Sequence, residues 1–147
     1  MRRTLAAFIL FFAGSAAAAI PPDLAKLTED IERFPASKGT AAENVRLEKF
    51  FDLFWAARMR EFPELAAYIG YPGLDDRLPD FSPEMLALEH RLPHLELAAM
   101  NSIDRSRLTP SDQLNYDLAR RRFEMEIEGS VFTASIRSTT TTSSSTR

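Results

Sequence analysis

The sequence predicts an all-α protein, an irregular array of helices followed by a disordered C-terminal tail. Three observations predict it. Apolar residues recur at helical spacing in successive stretches, the boundaries of those stretches carry capping residues and first-turn prolines, and nothing before Gly129 alternates as a strand would. No internal repeat is present.

Residues 1–19 read as a secretory signal. Arg2 and Arg3 form a basic start, Leu5 to Ala13 is an uncharged apolar run, and Ala17-Ala18-Ala19 supplies small residues for cleavage. The apolar run is about nine residues, well short of the roughly 20 needed to span a bilayer. No later apolar segment is long enough either, so no membrane anchor is expected after cleavage. The product is expected to be periplasmic or secreted. Without Arg2 and Arg3, sixteen basic residues face twenty-one acidic ones, a net charge near −5. A mildly acidic chain with no basic stripe is a poor nucleic-acid binder. The chain has no cysteine, which excludes disulfides, a thiolate nucleophile and thiolate metal ligands.

After the signal, Pro21-Pro22 opens a short helix over Asp23 to Phe34, with Leu24, Leu27 and Ile31 on one face and Asp23 as its cap. Pro35 to Ala42 is small and polar and reads as a linker. Glu43 to Glu61 is the strongest helix. Leu47, Phe50, Phe54 and Ala57 share one face, Phe51, Trp55 and Phe62 the adjoining one, and Arg46, Lys49 and Arg60 lie opposite. So wide an apolar arc implies at least two packing neighbours, and its aromatics read as core. Pro63 restarts a short helix that Gly70 ends. Tyr71 to Phe81, with its prolines and aspartates, is a loop. Ser82-Pro83-Glu84 caps the next helix, which runs to about Met100 and which Pro93 is expected to kink or break. Thr109-Pro110-Ser111-Asp112 opens the last helix, with Thr109 as cap and Asp112 at N3. Leu114, Leu118 and Met125 form one apolar face of it, Tyr116, Phe123 and Ile127 another, and Gly129 is expected to end it. Ser138 to Thr146 is nine consecutive Ser or Thr residues, which cannot bury a core. The expected organisation is signal peptide 1–19, N-terminal helix and linker 20–42, helical domain 43–129 and tail 130–147.

The motifs that could carry chemistry each lack a part. His90 and His94 have the i, i+4 spacing of an HExxH zinc helix, but Arg91 stands where the glutamate belongs and Pro93 lies between the histidines. That stretch, with Glu89 and Glu96 beside it, reads as partly exposed helix surface. The loop Asp75-Asp76-Arg77-Leu78-Pro79-Asp80 lacks calcium-loop spacing, and Asp75 or Asp80 is expected to pair with Arg77. Glu124, Glu126 and Glu128, flanked by Arg120 to Arg122, do not converge on one point of a helix and read as a solvated face. No catalytic, cofactor-binding or metal residue is assigned, and no cofactor is expected in this chain.

Phe54-Trp55, Arg58, Phe62-Pro63-Glu64-Leu65-Ala66, Tyr68-Ile69-Gly70, Asp75 to Ser82, Ile103-Asp104, Leu108 and Leu114 to Leu118 occur in an order that resembles the N-terminal part of the bacterial domain of unknown function 885 family. The resemblance covers residues 43 to 129. It implies a larger, often exported helical fold of zinc peptidase type, whose HExxH segment and further acidic ligand lie C-terminal to the matched region. Zinc is therefore implied for intact relatives and not for this chain. The resemblance makes the chain an inactive N-terminal fragment, scaffold or lid, that expects the missing C-terminal catalytic portion or a protein partner. A truncated or shifted reading frame fits the Ser/Thr tail. The alternative is a small secreted helical binding module with no enzymatic activity, holding a partner on its exposed apolar faces.

Overall fold

Five α-helices follow one another in the computed structural model: α1 (Pro22–Arg33), α2 (Glu43–Glu61), α3 (Pro63–Tyr68), α4 (Pro83–Asn101) and α5 (Pro110–Thr141). Short 3-10 turns lie at Phe34–Ser37 and Arg105–Arg107. The structure describes the backbone of residues 19–141 and the side chains of 19–130, so residues 1–18 of the expected signal and 142–147 of the expected tail lie outside the described residues. Among the described residues there is no strand, and no helix is long and apolar enough to cross a membrane.

The core follows from the apolar periodicity. Leu24 and Ile31 of α1, Leu47, Phe50 and Ala57 of α2, and Leu88, Leu92 and Ala99 of α4 bury together with Tyr116 and Phe123 of α5. Phe50 is its centre: the Phe34 and Phe123 rings meet it edge-on at 5.6 and 6.0 Å, and Phe54 stacks beside it at 6.4 Å. Such aromatic contacts add about 0.5–1.5 kcal/mol each to their area burial. A smaller cluster of Met59, Ala66 and Leu74 seats α3 and the following loop on the end of α2.

Several expected boundaries hold. Ser82 Oγ accepts from the Met85 amide at 3.3 Å, and Pro83 fills the first turn of α4. Thr109 Oγ1 accepts from the Asp112 amide at 3.2 Å and donates to the Asp112 carboxylate at 2.8 Å. Gly70 adopts φ +72° just past α3, and the Tyr71 amide returns to the Ala66 carbonyl at 2.8 Å.

Other expectations need correction. Asp23 does not cap α1; Pro21 holds that position without a side-chain bond, and Asp23 instead receives Arg60 at 2.8 Å and Arg77 at 3.1 Å. Pro93 does not break α4. Met85, Leu88 and Leu92 before it and Glu96, Ala99 and Met100 after it bury on one side of the helix. That shared packing offsets the roughly 3 kcal/mol that a mid-helix proline costs. Nor does Gly129 end α5, which continues to Thr141 and takes in the start of the expected tail. Gly129 lacks the positive φ of a capping glycine, and a glycine inside a helix costs only about 1 kcal/mol. Of α5's two apolar faces, Tyr116 and Phe123 are buried whereas Leu114, Leu118 and Met125 are exposed. Trp55, read as core, is 46 % exposed.

Arg46 is the largest departure. Helical periodicity puts it on the polar side of α2, yet it is only 2 % exposed. Its guanidinium meets the Glu43 carboxylate at 2.8 Å, the Ser102 carbonyl at 3.0 Å and the Ser102 hydroxyl at 2.9 Å, and it lies 5.1 Å from the Phe34 ring centroid. Glu43 in turn accepts from the Asp104 amide at 3.1 Å. One buried ion pair thus ties the start of α2 to the end of α4, where orphan helix-terminal groups need partners.

Candidate functional site: an acidic cleft backed by a buried guanidinium

The last turn of α2 carries Arg58 and Glu61, which face one another because residues three apart share a helix side. Arg58 Nη1 lies 3.0 Å from Glu61 Oε2. Its Nη2 lies 3.2 Å from Glu126 Oε2 on α5 and 3.7 Å from Glu96 Oε2 on α4. The last distance is too long for a hydrogen bond, and Arg58 Nε and Glu96 Oε2 are buried without a hydrogen-bond partner. The Phe54 and Phe62 rings flank the guanidinium, with centroids 5.3 and 5.4 Å away. Arg122 closes the outer side, bonding Glu126 Oε1 at 3.0 Å.

Three carboxylates therefore surround one central guanidinium. Burial pushes both Glu61 and Glu96 up to about 7. The Arg58 charge opposes that rise and the neighbouring carboxylates add to it. Glu61 and Glu96 accordingly hold protons through the mildly acidic range, where an ordinary glutamate is ionised.

Glu61 also forms the inner wall of a cleft of about 330 Å³ between the α2–α3 junction, the 79–81 segment and α4. Its acidic lining is completed by Glu64, Asp80 and Glu89, and its apolar lining is Phe62, Leu65, Pro79 and Phe81. Phe62, Leu65 and Phe81 are exposed, so the mouth presents apolar surface beside carboxylates. Asp80 is held in place by accepting from the Ser82 amide at 2.8 Å.

The residues singled out in the sequence go to other places. Because α4 is continuous, His90 and His94 do lie one turn apart, but both are exposed and Arg91 between them pairs with Glu32 of α1 at 2.7 Å. Glu89 lines the cleft and Glu96 enters the buried cluster rather than joining the histidines. Arg77 pairs with Asp23, not with Asp75 or Asp80. Glu126 turns inward to Arg58, whereas Glu124 and Glu128 stay on the surface with Arg120 and Arg121. Among the described residues no group of three or more His, Cys, Asp or Glu side chains could hold a metal ion. In the carboxylate cluster the guanidinium already occupies the centre.

Sequence reasoning misses Arg58 and Glu61 as a site. Their signal is present: an Arg and a Glu three apart, between Phe54 and Phe62, on the apolar arc of the strongest helix. The cleft sets carboxylates beside apolar walls, an arrangement with room for a cation carried on an apolar body. No family model, curated protein or solved structure matches the chain.

Proposed function

We propose that the chain is a small helical binding module without a reaction of its own, and that the cleft at Glu61 receives a lysine or arginine side chain of a partner peptide. The observation that carries this reading is the lining of the cleft. Carboxylates from α2, α3, α4 and the intervening loop converge with Phe62, Leu65 and Phe81, which matches a charged tip on an apolar stem. A cation seated beside Glu61 favours its ionised form, so binding near neutral pH releases protons.

The test is calorimetric titration with a short peptide carrying lysine between leucine and phenylalanine, and with its Nε-acetylated counterpart. The free lysine peptide is expected to bind in the micromolar range and to release protons, seen as a dependence of the heat on buffer ionisation. Glu89→Gln and Glu64→Gln are each expected to weaken it about fivefold, the scale of one partly exposed charged contact. Equal binding of the acetylated peptide, or none by either, would sink the reading.

Export belongs to the same proposal, and N-terminal sequencing of the secreted product is expected to begin at Ile20. A second reading rests on the ordered motifs resembling the N-terminal part of the domain of unknown function 885 family. The exposed apolar face of α5 favours it, as a seat for the family's zinc-bearing C-terminal portion. Reading the source DNA beyond the codon for Glu128 in all three frames tests it: an HExxH-encoding frame supports it, and none removes it.

A further inference from the structure

The outer carboxylates of the cleft have no cation. Among the described residues no Lys, Arg or His pairs with Glu64, Asp80 or Glu89. The arginines close by are committed elsewhere: Arg60 and Arg77 to Asp23, and Arg91 to Glu32. Arg58 pairs with Glu61 alone among the lining carboxylates. Beside these charges Phe62, Leu65 and Phe81 stand exposed. The complement of such a cleft is a basic group followed by apolar side chains.

The chain carries that complement. Of its Lys and Arg residues, Arg2, Arg3, Arg137 and Arg147 lie outside the described side chains. Arg147 follows a run of Ser and Thr, and Arg137 is a single charge at the head of that run. Arg2 and Arg3 join a double charge to the apolar run Leu5 to Ala13, with Phe8, Ile9, Leu10, Phe11 and Phe12 inside it. This leader also starts from the right place. Ile20 packs against the core, so the leader leaves the body at Ala19. Asp23, just inside α1, accepts from Arg60 at 2.8 Å and from Arg77 at 3.1 Å. Arg60 immediately precedes Glu61, and Arg77 comes shortly before Pro79, so the base of the leader lies an arginine's length from two walls of the cleft. The stretch from Arg3 to Ala19 reaches about 24 Å at the rise of a helix and roughly 53 Å when extended. Either is ample for a cleft so close to its root.

We propose that residues 1–19, while attached, occupy the acidic cleft, Arg2 and Arg3 against its carboxylates and the apolar run over Phe62, Leu65 and Phe81, and that their removal opens it. This rests on the reading of the cleft as a seat for a cation on an apolar body, and adds its regulation. A tethered segment acts at an effective concentration on the order of millimolar, so it displaces a partner that binds in the micromolar range.

The test is nuclear magnetic resonance on the full chain, prepared without export so that the leader is retained. The chain has no cysteine, so a nitroxide on Thr4→Cys is a single label. It is expected to broaden the amide signals of Leu65, Phe81 and Glu89 and to spare Leu108. Arg2→Glu with Arg3→Glu, which leaves the core untouched, is expected to abolish that pattern, as is Glu64→Lys with Glu89→Lys. All four substitutions together are expected to restore it. The lysine peptide is expected to bind the chain beginning at Ile20 at least about tenfold more tightly than the full chain. Should Glu64→Lys with Glu89→Lys fail to fold, the Arg2→Glu with Arg3→Glu chain decides alone. The proposal is overturned by broadening that is not localised to the cleft, or that arises only between a labelled chain and a separate isotope-enriched one. Release by Arg137→Glu in place of the leader variant also overturns it, since the tail is then the occupant. Equal affinity of the peptide for the two forms overturns it and leaves the cleft reading standing. A localised label with no peptide bound by either form upholds the leader as occupant and removes only the external partner.

Discussion

At the scale of single residues, the features that matter most are charges the chain buries. Arg46 satisfies its guanidinium with Glu43, Ser102 and Phe34, and none of these partners replaces another. Arg46→Ala leaves the Glu43 carboxylate buried with one amide donor, and is expected to destabilise the fold by about 3–5 kcal/mol. Replacing both members, Glu43→Gln with Arg46→Met, is expected to cost less than Arg46→Ala alone, because no buried charge is then uncompensated. Urea midpoints of the two variants check this, and a double variant less stable than the single one would refute it. The Arg46 pair is not legible in the sequence, and the Arg58 cluster only in part, through an Arg and a Glu three apart on the apolar arc of α2. A helical wheel ranks arginine as polar wherever it falls, and whether it buries depends on partners such as Ser102 that lie 56 positions away. The same blindness hides the site: Glu61 is one acid among many until α4 and α5 bring Glu96 and Glu126 to the same guanidinium.

At the scale of elements, the legible features are those decided within one turn of chain. The caps of α4 and α5 and the glycine after α3 depend only on neighbours, and the structure keeps them. The misplaced features are decided by packing. Local rules end a helix at Pro93 and at Gly129, but the buried side of α4 is continuous across the proline, and Gly129 keeps an ordinary helical φ. Gly129 therefore carries a testable consequence. A Cβ added there meets nothing within 4 Å. Gly129→Ala is expected to stabilise the protein by about 0.5–1 kcal/mol, through the conformational freedom that glycine loses on folding. A capping glycine, with its positive φ, would show the reverse sign. Thermal unfolding of the variant separates the two: a fall in Tm would place the end of α5 at Gly129 in solution.

At the scale of the whole molecule, the Arg58 cluster couples folding to pH, because α2, α4 and α5 all contribute to it. The unfolded chain releases the protons of Glu61 and Glu96 near pH 4.3, whereas the folded chain holds them up to about 7. Between those limits the folded state binds more protons than the unfolded one, so stability falls as pH rises. The contribution of the pair is complete below about pH 4.3, declines through the mildly acidic range and is flat above about 7. Asp23, held low by its bond from Arg77, acts with the opposite sign, and its contribution disappears as pH falls below the ordinary carboxylate range. Maximum stability is therefore expected near pH 4–5, with a loss on the order of a few kcal/mol by pH 8. Glu96→Gln removes one of the two titrating groups and is expected to flatten the decline between pH 5 and 7. At pH 8 it should be at least as stable as the unaltered chain, because it carries one fewer buried negative charge. Urea midpoints of both proteins at pH 5, 6, 7 and 8 give the two curves. A curve for the unaltered chain that rises from pH 5 to 7 would mean that Arg58 overcomes burial and keeps both carboxylates ionised, and that the cleft presents a full negative charge at Glu61 throughout that range.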